Sequence, residues 1–163
     1  MGEKPMICQL CEFEAINSRQ IELHHSTEID PGPKNSRNKE YYTTTEVTPI
    51  CANCHSLEHR TGEKLRNKCG IWHEKLPGNQ KYKNPDDIFM LGCPETYRVQ
   101  KEYYLKWHLV SPIQYKCQKC NVFAWAPENK ILSLELHHKD RNHSNSMISN
   151  LELLCANCHR AES

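Results

Sequence analysis

The chain has 163 residues, 37% of them hydrophobic, and a formal net charge of +1. Leu, Ile, Val and Phe make up just under a fifth of it, too little for a large conventional core, while the near-zero charge argues against disorder. Ten cysteines, eight of them in paired CxxC spacings, behind an N-terminus with no long apolar stretch, favour metal staples in a reducing, cytoplasmic setting over a secreted disulfide framework, and no membrane span is expected.

Residues 1–61 form the first candidate unit. Cys8-x-x-Cys11 comes first, then Ile21-Glu22-Leu23-His24-His25. A loop of 25 residues, rich in Pro, Gly, Asn and Lys, leads to Cys51-Ala52-Asn53-Cys54-His55, and His59 follows one helical turn later. Four thiolates in two CxxC pairs are the donor set of a closed tetrahedral zinc site, here Cys8, Cys11, Cys51 and Cys54. Such a site has no open position, so its zinc is expected to be structural. The histidines are surplus to it, which points to a second metal.

Residues 62–112 read as a mainly helical segment. Asn84-Pro85-Asp86-Asp87 is a helix start with a plausible stop at Gly92, and Pro94 opens a second helix to about Leu109. Val99, Tyr103, Trp107 and Val110 follow helical spacing, which favours a buried aromatic face over base stacking beside Lys101 and Lys106. Cys69 and Cys93 fit no CxxC pair and are expected as buried or free thiols. This segment holds the basic excess, nine basic against six acidic residues, while residues 1–61 have six against nine. A net charge of +1 is modest for a phosphate-binding protein.

Residues 113–163 repeat the first unit. Cys117-x-x-Cys120 precedes an alternating strand (Leu132, Leu134, Leu136) that delivers His137 and His138. Sixteen residues further on come Cys155-Ala156-Asn157-Cys158-His159. Glu-Leu-His-His and Cys-Ala-Asn-Cys-His are identical in the two copies. Cys117, Cys120, Cys155 and Cys158 form the second predicted zinc set. Asn150 lies nine residues before His159, and Glu46 occupies the equivalent position of the first copy.

Taken together, these motifs resemble the HNH (ββα-metal) nuclease motif, closely over residues 115–160 and less well over 6–61. The resemblance implies an α+β fold of small zinc-stapled ββα-metal units, duplicated and joined by the helical segment, with two structural Zn²⁺ per chain. In the second unit it makes His137 and His159 ligands of a catalytic Mg²⁺ or Mn²⁺. His138 becomes the general base, and the amide carbonyl of Asn150 the group that orients the base imidazole. In the first unit His24, His55 and His59 become candidate ligands of a further divalent cation and His25 a candidate base, but Glu46 departs from the pattern and puts activity there in doubt. The implied function is a site-specific endonuclease of double-stranded DNA, like small restriction or homing enzymes, leaving 5′-phosphate and 3′-hydroxyl ends. It would act as a homodimer, or as a monomer with two active units. The competing readings are a non-catalytic zinc module and a nicking or structure-specific nuclease.

Overall fold

Short cysteine-bearing turns and small antiparallel pairs organise this chain. The computed structural model describes residues 6–25, 47–70 and 83–162. In the first unit β1 (Met6–Ile7) and β2 (Glu14–Ala15) flank the first CxxC turn, β3 (Ile21–His25) pairs antiparallel with β4 (Val47–Cys51), and α1 (Ala52–His59) follows directly. Then come α2 (Glu63–Arg66) and α3 (Tyr97–Tyr103), the latter continued by a π-helical turn over Tyr104–His108. In the last part β5 (Ala124–Trp125) pairs with β6 (Lys130–Ile131), β7 (Glu135–His138) pairs with β8 (Leu151–Leu154), and α4 (Ala156–Glu162) ends the order. The architecture is mixed α and β, with two-stranded sheets and few helices. No helix among the described residues is long and apolar enough to cross a membrane.

The two CxxC turns close in the same way. The Cys8 N–H donates to Phe13 O at 2.9 Å and Glu12 N–H to Cys8 O at 3.0 Å; the Cys117 N–H donates to Val122 O and Asn121 N–H to Cys117 O, both at 2.8 Å. Glu12 (φ 61°) and Asn121 (φ 59°) take the left-handed conformation needed to turn the chain after the second cysteine.

Among the described residues the limited apolar content is concentrated in two cores. In the larger, Tyr104, Leu105, Leu109 and Tyr115 pack with Leu132, Leu134, Leu136, Leu151, Leu153 and Leu154. The smaller is built from Cys8, Cys51, Cys54 and Ile50, so metal-binding thiols take the place of side-chain packing. Trp125 packs against both cores and donates its indole N–H to Cys11 Sγ at 3.3 Å.

Between the two CxxC units, the structure departs from the sequence expectations. Asn84 caps only a single 3-10 turn, Pro85–Asp87, its Oδ1 accepting from the Asp86 N–H at 3.1 Å, so the helix expected up to Gly92 does not form. The buried face of α3 and its continuation is Gln100, Tyr104, Leu105 and Leu109, whereas Trp107 and Val110 are exposed. The apolar spacing placed the stripe wrongly because a polar glutamine occupies a core position, and the π turn adds further rotation.

α1 and α4 meet at their N-termini. The Asn53 N–H donates to Asn157 Oδ1 at 2.9 Å and the Asn157 N–H to Asn53 Oδ1 at 3.0 Å, all of it buried. These asparagines occupy the same position of the repeated Cys-Ala-Asn-Cys-His sequence, so the contact is reciprocal. Each side-chain oxygen satisfies an orphan helix donor of the other unit where two positive dipole ends face each other.

Candidate active site

Eight of the ten cysteines form two tetrads, each with its four sulfur atoms within 4.8 Å of one another, and Cys69 and Cys93 belong to neither. Sulfur pairs stand at 3.8 Å (Cys8–Cys54), 3.7 Å (Cys11–Cys51) and 3.8 Å (Cys120–Cys155). A tetrahedron with Zn–S bonds of about 2.3 Å has edges of roughly 3.8 Å, so the donor set fits zinc in both units. Thiols donating to a neighbouring sulfur hold Cys51 down to about 5 and Cys117 down to about 4, while their donors Cys54 and Cys155 are pushed up. Each tetrad therefore contains one ready thiolate, Cys51 at the start of α1 and Cys117 in the CxxC turn of the second unit, and metal binding would displace the remaining protons.

In the second unit β7 and α4 bring the surplus histidines together. The ring of His137 lies 5.2 Å from that of His159, nearly perpendicular to it. Glu135, two residues before His137 and therefore on the same face of the strand, takes His159 Nδ1 at 2.9 Å. That hydrogen bond from His159 holds the Glu135 carboxyl below its ordinary range. With Nδ1 committed to the carboxylate, Nε2 is the ring nitrogen that would coordinate a metal, the arrangement by which carboxylates orient metal-binding imidazoles. Glu135 was missed in the sequence; the signal was its repetition as Glu22, two residues before His24.

His138 is 3% exposed and points elsewhere. Its Nε2 meets Gln100 Oε1 at 2.9 Å, while Nδ1 is buried without a hydrogen-bond partner among the described residues. Burial, followed by the neighbouring charge of His143, lowers its pKa and keeps the imidazole neutral at physiological pH. His137 is lowered in the same direction, first by burial and then by His159.

Asn150 does not reach His138. Its Oδ1 accepts from Asp140 N–H at 3.1 Å, and its Nδ2 donates to Asp140 Oδ1 and to Asn145 O, both at 2.8 Å. Asn150 thus staples the loop that leaves His138, and the imidazole partner expected of it is instead Gln100 on α3. A cavity of about 490 Å³ opens over this group, lined by His137, His138, His159 and Glu135 together with the cationic Arg60, Lys101 and Arg141.

The first unit gathers three rings. His24 lies 5.6 Å from His55 and 6.4 Å from His59, and the Nε2 atoms of His55 and His59 approach to 3.2 Å. Glu22 takes Nδ1 of His55, as Glu135 does for His159. His25 ends β3 opposite Val47; its side chain and Glu46 lie outside the described residues.

Two arginines cross between the units. Arg160, beside His159, reaches Glu22 at 2.7 Å, and Arg60, beside His59, reaches Glu135 at 3.2 Å. Each carboxylate that steadies a histidine of one unit is thus held by a cation of the other.

No family model matches the chain, and no solved structure matches it. The chain is 36% identical over 107 residues to the H-N-H endonuclease F-TflIV of Escherichia phage T5, covering 61% of this chain and 42% of that protein. It thus spans less than half the length of this curated relative. The similarity, with the two cysteine tetrads, supports kinship with the HNH endonucleases.

Proposed function

We propose that the chain is a metal-dependent endonuclease that hydrolyses phosphodiester bonds of double-stranded DNA at specific sites, leaving 5′-phosphate and 3′-hydroxyl ends. The observation that carries this reading is the convergence of His137, His138 and His159 on one cavity that also holds three cations and two carboxylates, Glu135 and Glu162, with Glu135 fixing His159. Residues 1–61 and 113–163 are read as two zinc-stapled ββα-metal units and 62–112 as the segment joining them. The second unit is the catalytic one.

His138, neutral and buried, takes a proton from the attacking water as the water oxygen bonds to phosphorus and the bond from phosphorus to the 3′ oxygen breaks. His137 and His159 would hold a Mg²⁺ or Mn²⁺, which would offset the charge of the phosphorane-like transition state. Arg60, Lys101 and Arg141 supply fixed positive charge around the phosphate. In the first unit His24, His55 and His59 are read as ligands of a second divalent cation, with Glu22 in the supporting role. A duplex cut needs two such centres. A homodimer would supply them through the second unit of each subunit; a monomer would need both of its units to be active.

The test is a digest of supercoiled plasmid and long linear DNA with Mg²⁺ or Mn²⁺, beside the His138→Ala variant. Discrete fragments from the wild type, and none from a variant of unchanged zinc content, are expected. Cutting by the variant would remove the second unit from its assigned role. Intact DNA across metals and substrates would favour a zinc binding module.

A further inference from the structure

One buried polar side chain on the cavity side of α3 belongs to neither repeat. Gln100 is 2% exposed, and its Nε2 donates to Glu95 O at 2.8 Å and to His143 O at 3.1 Å, which uses both amide hydrogens. Its Oε1 is left facing Nε2 of His138 at 2.9 Å. Turning the amide over would set its oxygen against two backbone carbonyl oxygens, so the direction of the group is settled by its own partners. An amide oxygen only accepts, so the hydrogen in this bond belongs to His138. A neutral imidazole carries one ring hydrogen, and placing it on Nε2 leaves the lone pair on Nδ1. That nitrogen is buried and without a protein partner among the described residues.

We infer that Gln100 is a positioning residue of the reaction: it fixes His138 as the Nε2–H tautomer, so that Nδ1 is the atom that takes the proton. This rests on the reading of His138 as the base. The water proton moves to Nδ1, the Nε2–H stays donated to Gln100, and the amide dipole stabilises the imidazolium that results. Gln100 holds the imidazole from a segment outside the cysteine and histidine motifs, in the place where Asn150 was expected.

The measurement is the ¹⁵N shift of each His138 ring nitrogen in the zinc-loaded chain, for the wild type and for Gln100→Met, which keeps the volume but removes the acceptor. The wild type is expected to show hydrogen on Nε2, and the variant a mixture of tautomers. In cleavage assays the variant should lose kcat on the order of 10²-fold with little change in KM, since base alignment and not DNA binding is altered. Hydrogen on Nδ1 in the wild type would overturn the inference even if the variant failed to fold. So would a variant with wild-type kcat. An Nε2–H His138 in a wild-type chain that cuts no DNA would overturn the nuclease reading, and with it the catalytic half of this inference, while its tautomer half would stand.

Discussion

Lys101 shows how the cavity trades stability for charge. Burial, with Arg60 next in importance, brings its ammonium down from the ordinary 10.5 to about 8. Between about pH 8 and 10.5 the unfolded chain therefore binds a proton that the folded chain does not, and stability rises with pH across that window. Below pH 8 the folded protein carries a poorly solvated cation. Lys101→Met is expected to stabilise the chain at pH 7 by on the order of 1–3 kcal/mol in urea melts, with the gain shrinking toward pH 10.5. On the proposed nuclease reading the same variant should weaken DNA cleavage, because an incoming phosphate would be the partner that makes the charge favourable. His137, His138 and His159 were legible in the sequence because adjacent and spaced histidines are rare enough to register as a pattern. Gln100 was not. A single glutamine in a helix is normally counted as solvent-facing, and its importance arises only from the carbonyls that the fold brings to it.

Among the elements, the join between α1 and α2 packs closely against the segment between β6 and β7. Gly62 donates its N–H to Ile131 O at 2.7 Å, and a β-carbon there would overlap the carbonyl of Leu132. Gly62→Ala must push α2 away from the strand leading into β7 and is expected to cost on the order of 2–3 kcal/mol in chemical denaturation. Gly92→Ala is the control. Its φ of +77° is strained for alanine but nothing crowds the site, so about 1 kcal/mol is expected. The CxxC turns and the strands bearing Glu-Leu-His-His could be read from spacing because short ligand motifs dictate their own geometry. The segment joining the units could not, since its form depends on partners distant in sequence. Asn84 supplies a good cap and Ile88 is buried, but the helical turn ends at Asp87 and the chain does not continue as a helix.

For the whole molecule, the reciprocal asparagines are the join that matters. Asn53→Ala leaves the buried N–H of Asn157 without its acceptor, and Asn157→Ala does the same to Asn53. Each is expected to cost about 1–3 kcal/mol. The double variant should cost less than the two together, because one broken bond already loosens the contact that the other needs. Equilibrium denaturation of the four proteins measures this coupling directly, and strict additivity would mean that the two units are joined chiefly elsewhere.

The crossed arginines have a consequence for how the two copies can change over generations. After a duplication one copy is ordinarily free to drift. Here Arg60 of the first copy secures the carboxylate that holds a histidine of the second, and Arg160 returns the service. A substitution that loosens either copy would be felt at the other, so, on the proposed nuclease reading, selection on one half would reach both. The first copy would be maintained by this tie even if it never severed a strand itself.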